Sequence, residues 1–368
     1  MTVSSQLSQN LNDITHEFVI LSCDRNKQLL NQELNTVVTA SKTFTEEFLE
    51  NGFVIAEGVL DPETVLDPII DEYHGVLDRL ASELYETGKI SSKFESLSFD
   101  ERLIKIYQET GQAHNQYFDF SLPFQDVKED TPFWAGPAVF NAFTNEKLLD
   151  RVEQLIGPEI YSNPVQHVRI KPPIKNISKK LQKKSYGSGL VTGTQWHQDQ
   201  GVITSDADNS EILTVWIPMT IANIENGCLV VAKNSHNNGL VLHCTKTEKR
   251  PQWKQIEIPG EYVTEDNIPL EMEPGDVLFL TKLTKHCSLE NHSDDIRWSF
   301  DLRYQPIGQP TGRAHFPGFV ARSKHTPDSV LKDHKLWRNM WQDAKYKLIE
   351  KNESEYFNRW DPEDIRCA

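Results

Sequence analysis

Cysteine is scarce in this chain of 368 residues, and the five present, Cys23, Cys228, Cys244, Cys287 and Cys367, are dispersed and form no C-x-x-C pair. An odd, scattered set excludes a secreted disulfide framework and a zinc ribbon, so reduced thiols are the expected state. Long apolar runs are absent too. Met1 to Phe18 interleaves polar and acidic residues with single apolar ones, unlike a signal peptide, and no later segment is long enough to span a bilayer. The expectation is a soluble, cytoplasmic protein with no membrane partner. Positive charge is in deficit: 38 Lys+Arg stand against 54 Asp+Glu, a net charge of −16. A nucleic-acid surface needs cations to displace counterions from phosphates, so no nucleic acid is expected as a partner.

What is present is enough apolar material for a large core, 38% hydrophobic and 10% aromatic. Residues 1–40 are polar without a firm period and read as an N-terminal arm. The folded part starts near Lys42. Thr45 to Gly52 reads as a short helix closed by glycine, Phe53 to Ala56 as a strand, and Asp61-Pro62-Glu63 as the start of a longer helix. Asn145 to Ile156 has helical spacing and stops at Gly157-Pro158.

Beyond Ile160 the pattern turns to strands at 166–170, 195–200, 212–217, 228–232, 255–258, 277–281 and 296–304, separated by turns such as Glu273-Pro274-Gly275-Asp276. This predicts a mainly β fold with flanking α-helices, a sandwich or barrel, over residues 41–322. Residues 323–368 form a helical extension, in which Trp337 and Trp341, four apart, pack on the barrel. Residues 171–190 read as a lid-like insertion: six lysines and no acid lie between Lys171 and Lys184, followed by the flexible Gly187-Ser188-Gly189. A basic loop beside a site favours an anionic ligand.

The chemistry centres on His197-Gln198-Asp199. On a strand, residues i and i+2 share a face, so this spacing aims an imidazole and a carboxylate into one space. Alone the match is weak, since His292-Ser293-Asp294 repeats it. A facial site of two histidines and one carboxylate needs a third ligand from a distant strand. His286 follows the apolar strand Val277 to Leu280, which makes His197, Asp199 and His286 the preferred set and leaves His292 near solvent. In the next strand Ile296, Trp298, Phe300, Leu302 and Tyr304 alternate with Arg297, Ser299, Asp301 and Arg303. Its polar face points toward the metal, where Arg297 offers a planar fork to a carboxylate and Ser299 a hydroxyl.

These residues resemble the phytanoyl-CoA dioxygenase family of Fe(II)/2-oxoglutarate-dependent oxygenases, from about Phe48 to Arg322. The marks are Glu50 to Val54, Trp196-His197-Gln198-Asp199, Val215-Trp216-Ile217, Asn226-Gly227-Cys228-Leu229, Asn234-Ser235-His236, Gly275-Asp276, His286-Cys287-Ser288 with Asn291, and Arg297. The resemblance implies a double-stranded β-helix, cupin-like, with Fe(II) on His197, Asp199 and His286. It also implies 2-oxoglutarate held by Arg297, Ser288, Trp216 and Ser299, with O₂ as the second cosubstrate. Lys233-Asn234 replaces the family's usual Pro-Gly, and Asn tolerates the positive φ such a turn needs.

The activity implied is oxidation of a small, anionic, carboxylated metabolite by hydroxylation, oxidative cyclisation or desaturation, with 2-oxoglutarate converted to succinate and CO₂. Gln195, Arg303 and Lys171 are the substrate-facing candidates. Alternatives are an acyl-CoA hydroxylase of the phytanoyl-CoA type, a kainoid-type oxidative cyclase and a non-catalytic metal-binding barrel. A small-molecule substrate is the expected partner, with the chain a monomer or homodimer.

Overall fold

The computed structural model describes residues 42–123, 126–185, 190–245, 256–351, 359–361 and 363–367. The chain divides into residues 1–42 and Thr43–Ala368, and the fold described is that of the second unit. The expected arm, Cys23 and the Gly187-Ser188-Gly189 hinge lie outside the described residues.

Helix α1 (Phe44–Asn51) starts at a capping box, in which the Thr43 hydroxyl accepts from the Glu46 N–H and the Glu46 carboxylate accepts from the Thr43 N–H. It ends at Gly52, with φ of 82°. A side chain there would also strike the rings and hydroxyl of His236 and Thr284, so the position needs glycine twice over. Strand β1 (Phe53–Ala56) and a π-helical turn at Pro62–Leu66 lead into α2 (Asp67–Glu86), α3 (Phe99–Thr110), α4 (Pro137–Phe143) and α5 (Glu146–Ile156). Then come β2 (Ile160–Ser162), β3 (His167–Lys171), α6 (Lys179–Lys184), β4 (Thr194–His197), β5 (Leu213–Pro218) and β6 (Leu229–Ala232). The chain continues through β7 (Asn267–Leu270), β8 (Val277–Thr281), β9 (His286–Ser288), β10 (Arg297–Pro306), β11 (Phe319–Arg322) and α7 (His334–Lys351).

The strands form two antiparallel sheets rather than one closed barrel: a seven-stranded sheet in the order β1-β8-β5-β10-β2-β11, with β3 also on β10, and a four-stranded sheet β4-β9-β6-β7. Strand β10 is the spine. It pairs with β5 along one edge, and with β3 and then β2 along the other. Its predicted alternation holds: Trp298, Phe300, Leu302 and Tyr304 are buried in the main core with α2, α3 and α4, and Arg297, Ser299, Asp301 and Arg303 take the opposite face. A second apolar cluster joins the sheets, with Phe53, Trp216, Leu278 and Leu280 from the larger and Leu229, Val231 and Leu270 from the smaller. The space between the sheets therefore has an apolar end and a charged end.

Several expectations change. The predicted strand at 255–258 is absent: Gln255 is outside the described residues, and Glu257 makes only an isolated bridge to Cys244. Strands β2, β7, β9 and β11 were not foreseen, because three or four residues carry too little alternation to register. The cysteines are not all reduced. Cys244 and Cys367 form a disulfide across 123 residues of sequence, with Cα atoms 5.4 Å apart, while Cys228 and Cys287 are free and buried. Sequence spacing cannot reveal a bridge between segments that only tertiary folding brings together.

Trp337 and Trp341 of α7 are fully buried, against Phe140, Phe143 and Phe319 and against Phe316 respectively. In the lysine-rich segment Ile177 and Leu181 join the main core, and Lys175 pairs with Asp294 at the surface. Among the described residues no helix is long and apolar enough to cross a membrane.

Candidate metal and cosubstrate site

His197 and His286 are direct cross-strand partners of β4 and β9, with ring centroids 4.2 Å apart. Each ring is oriented by its own strand: His197 Nδ1–H donates to the Gln195 carbonyl at 2.8 Å and His286 Nδ1–H to the Thr284 carbonyl at 3.0 Å. Both Nε2 atoms are left to act as ligands. Asp199 completes the set, the candidate ligand atoms of the three residues all lying within 4.8 Å of one another. The local reason differs from the expected one. Strand β4 ends at His197, and Asp199 opens a 3₁₀ turn, Asp199–Val202.

That turn is pinned by the residue between the ligands. The Gln198 amide donates to the Gly239 and Leu283 carbonyls at 2.8 and 2.7 Å, its oxygen accepts from Val241 N–H at 2.9 Å, and its backbone N–H donates to His243 Nε2 at 2.9 Å. His243 is thus a neutral structural histidine, its ring stacked on Trp360, and burial pushes its pKa down to about 4. Trp360 Nε1–H bonds to the Gly201 carbonyl, and Arg359 to the Asp208 carboxylate, so residues next to the Cys367 bridge brace the turn from outside.

Electrostatics favour a bound cation. Burial, then the neighbouring His286, pushes His197 down to about 3, so it is a neutral ligand at ordinary pH. Burial alone would raise the Asp199 pKa, but Arg303, His286 and His197 together hold it below the usual carboxylate range. Two imidazoles and one carboxylate are a donor set for a divalent transition metal with open positions.

Arg303, expected to face substrate, is instead ion-paired with Asp199, and its Nη1–H donates to the Val165 carbonyl at 2.8 Å. It orients the carboxylate. The Thr214 hydroxyl, from β5, bonds to the other Asp199 oxygen. Thr214 was missed, although it stands two residues before Trp216 on the same face.

The second half of the site is cationic. Arg297 is 2% exposed, lies 5.5 Å from the Trp216 ring centre, and has one hydrogen-bond partner among the described residues, the Ser299 hydroxyl at 2.6 Å. Its Nε is buried and unpaired. Burial lowers its pKa to about 10. Lys171 is fully buried opposite Arg297 on β3, donating to Ser288 Oγ at 2.9 Å and the Leu289 carbonyl at 2.6 Å. It is therefore part of this pocket and not of the surface loop; burial, with Arg297 beside it, depresses its pKa well below the usual lysine range. Ser288 also bonds Thr194. Among the described residues no carboxylate is hydrogen-bonded to the Arg297 guanidinium or the Lys171 amine, an arrangement that favours an anion between them.

Gln195 is half-buried on β4, where its carbonyl holds His197. His292 is exposed, lies 3.8 Å from Glu290, and is not one of the three clustered ligand residues. Asn234 has φ of 62°, as its place in the turn required.

The profile of the phytanoyl-CoA dioxygenase (PhyH) family matches residues 48–299. The chain belongs to that family. It is accordingly an Fe(II)/2-oxoglutarate-dependent oxygenase by class, with the His197, Asp199 and His286 set inside the matched region. Among relatives, it is 24% identical over 275 residues to phytanoyl-CoA dioxygenase domain-containing protein 1 of Danio rerio, covering 68% of this chain and 85% of the relative. It is 31% identical over 125 residues to the 1-deoxypentalenic acid 11-beta-hydroxylase of Streptomyces arenae, covering 32% and 43%. The solved non-heme monooxygenase ThoJ has a similar fold, with a TM-score of 0.50 at 16% identity, covering 84% of this chain and all of ThoJ.

Proposed function

We propose that this PhyH-family chain oxidises a small, anionic, carboxylated metabolite, using Fe(II) on His197, Asp199 and His286 together with 2-oxoglutarate and O₂. The two sheets are read as the halves of a double-stranded β-helix enclosing that site. One observation carries the reading: Arg297, a buried guanidinium that among the described residues has an unpaired Nε and no hydrogen-bonded carboxylate, shares its pocket with Lys171 and Ser288 beside the triad. A simple metal binder has no use for a buried guanidinium beside a buried amine, whereas the far carboxylate of 2-oxoglutarate would hydrogen-bond to both.

Bound iron and 2-oxoglutarate supply the oxidising chemistry, with 2-oxoglutarate leaving as succinate and CO₂. The chain's own residues do the rest. His197 and His286 present oriented Nε2 donors, Arg303 and Thr214 hold Asp199 in its ligating orientation, and Arg297, Lys171, Ser288, Ser299 and Trp216 hold the cosubstrate. The apolar cluster from Phe53 to Leu280 keeps bulk water from that end of the lumen.

Anaerobic addition of Fe(II) and 2-oxoglutarate to the metal-free protein should develop the metal-to-ligand charge-transfer band. Its absence in wild type would refute the reading.

A further inference from the structure

The polar face of β10 and β3 carries more charge than the metal and cosubstrate need. In the β3–β10 ladder Lys171 faces Arg297, Arg169 faces Ser299 and His167 faces Asp301, so all six side chains lie on the face that holds the cosubstrate pocket. Beyond Lys171 and Arg297 this face forms a shelf. Arg169 Nε–H donates to Asp301 at 3.2 Å, and His167 Nδ1 lies 3.0 Å from Asp119 and 3.2 Å from the Ser121 hydroxyl. The shelf is reachable: Arg169 and Asp301 are 25% and 26% exposed, His167 and Asp119 18% and 14%, whereas the Arg303 and Asp199 side chains beside it are 8% and 3% exposed.

Resting on the oxygenase reading above, we propose that this shelf is the substrate subsite, and that it takes a small molecule bearing both a carboxylate and an amine. Arg169 is tied to Asp301 through Nε alone, which leaves the Nη1/Nη2 edge of its guanidinium, free of hydrogen bonds among the described residues, for bidentate pairing with a substrate carboxylate. Asp301, bonded to Arg169, and Asp119, bonded to His167, put two carboxylates on the shelf, which suits an ammonium or secondary amine and disfavours a polyphosphate tail by like-charge repulsion. A coenzyme-A thioester is thereby a poor fit and an amino acid or N-substituted amino acid a good one. Arg169 stands two residues from Lys171 on β3 and opposite Ser299, which sets the subsite against the cosubstrate pocket rather than on a remote surface.

The test uses the full chain loaded anaerobically with Fe(II) and 2-oxoglutarate, then exposed to O₂ with a panel of free and N-alkylated amino acids, each beside its carboxamide and its N-acetyl derivative. Succinate release above background is the readout. The expected result is stimulation only by members with both groups, and a loss of about 100-fold in kcat/KM for Arg169→Met, mostly in KM. The charge-transfer band and the KM for 2-oxoglutarate should stay within about twofold, and Arg169→Lys should recover part of the loss. Equal stimulation by carboxamides or N-acetyl derivatives, silence across the whole panel, or a displaced 2-oxoglutarate KM in Arg169→Met would each overturn the proposal. Failure of the underlying oxygenase reading is distinct, because the band would already be missing in wild type before any substrate is added.

Discussion

Replacing Arg303 by Met tests the reading of Arg303 as the residue that holds Asp199. In the metal-free protein Asp199 is 3% exposed and among the described residues has two partners, the Arg303 guanidinium and the Thr214 hydroxyl. Methionine keeps much of the volume and removes the charge, leaving a buried carboxylate with one neutral hydrogen bond. Breaking a buried pair from one side costs about 3–5 kcal/mol. At about 2 °C per kcal/mol for a chain of this size, the metal-free melting temperature should fall by about 6–10 °C. The sign of the pH dependence follows from Asp199. Its depressed pKa in wild type contributes stability above the unfolded carboxylate value, lost as pH falls through the folded one. Without Arg303, burial instead raises that pKa, so the variant's deficit is largest at neutral pH and shrinks on acidification. Added Fe(II) or Mn(II) supplies a new counter-charge, so metal should stabilise the variant more than it stabilises wild type. Differential scanning calorimetry with a chelator and with metal measures both terms. A deficit below about 1 kcal/mol, or equal metal stabilisation of both proteins, would refute the assignment.

Arg297→Ala should abolish the 2-oxoglutarate charge-transfer band while iron still binds, and Lys171→Met should weaken 2-oxoglutarate binding by about 10- to 100-fold, both read by anaerobic titration. His292→Ala should leave metal affinity unchanged, in contrast to His286→Ala. Denatured, unreduced protein should show two fewer reactive thiols than reduced protein, and Cys367→Ser should cost about 2–5 kcal/mol by chemical denaturation. His197, His243 and His114 are held down to about 3, 4 and 4, all with burial as the first cause. Below pH 6.5 the unfolded state therefore binds protons that the folded one does not. Metal-free stability should fall as pH drops toward 4, by up to about 1.4 kcal/mol per pH unit for each histidine, as measured by urea titration.

Legibility followed the length scale of the signal. The alternation of β10 and the capped first helix are local patterns, and each was readable because its period is itself the physical cause of the structure; the H-x-D pair was readable as a donor set, although a 3₁₀ turn rather than the strand period places Asp199. Strands β2, β7, β9 and β11 were not, being too short to show a period and held in place by their neighbours. Arg303 and Lys171 were singled out for their charge, but the partner of each was misjudged. A buried cation's role depends on which acid or hydroxyl lies opposite it, and Asp199 and Ser288 are more than a hundred residues away from Arg303 and Lys171.

By itself, the sequence determined the residue types at the centre: His197 and Asp199 two apart, His286 after an apolar strand, and a β10 with one greasy and one charged face. The two faces of β10 follow from backbone periodicity, and the donor set from side-chain chemistry. Tertiary structure decided how the charges are shared. Antiparallel register sets Lys171 opposite Arg297 and Arg169 opposite Ser299, the turn at Asp199 meets Arg303, and Cys244 meets Cys367. Coulombic and hydrogen-bond energies act over a few ångströms, so only folding, which converts long sequence separations into such distances, can assign each buried cation its partner.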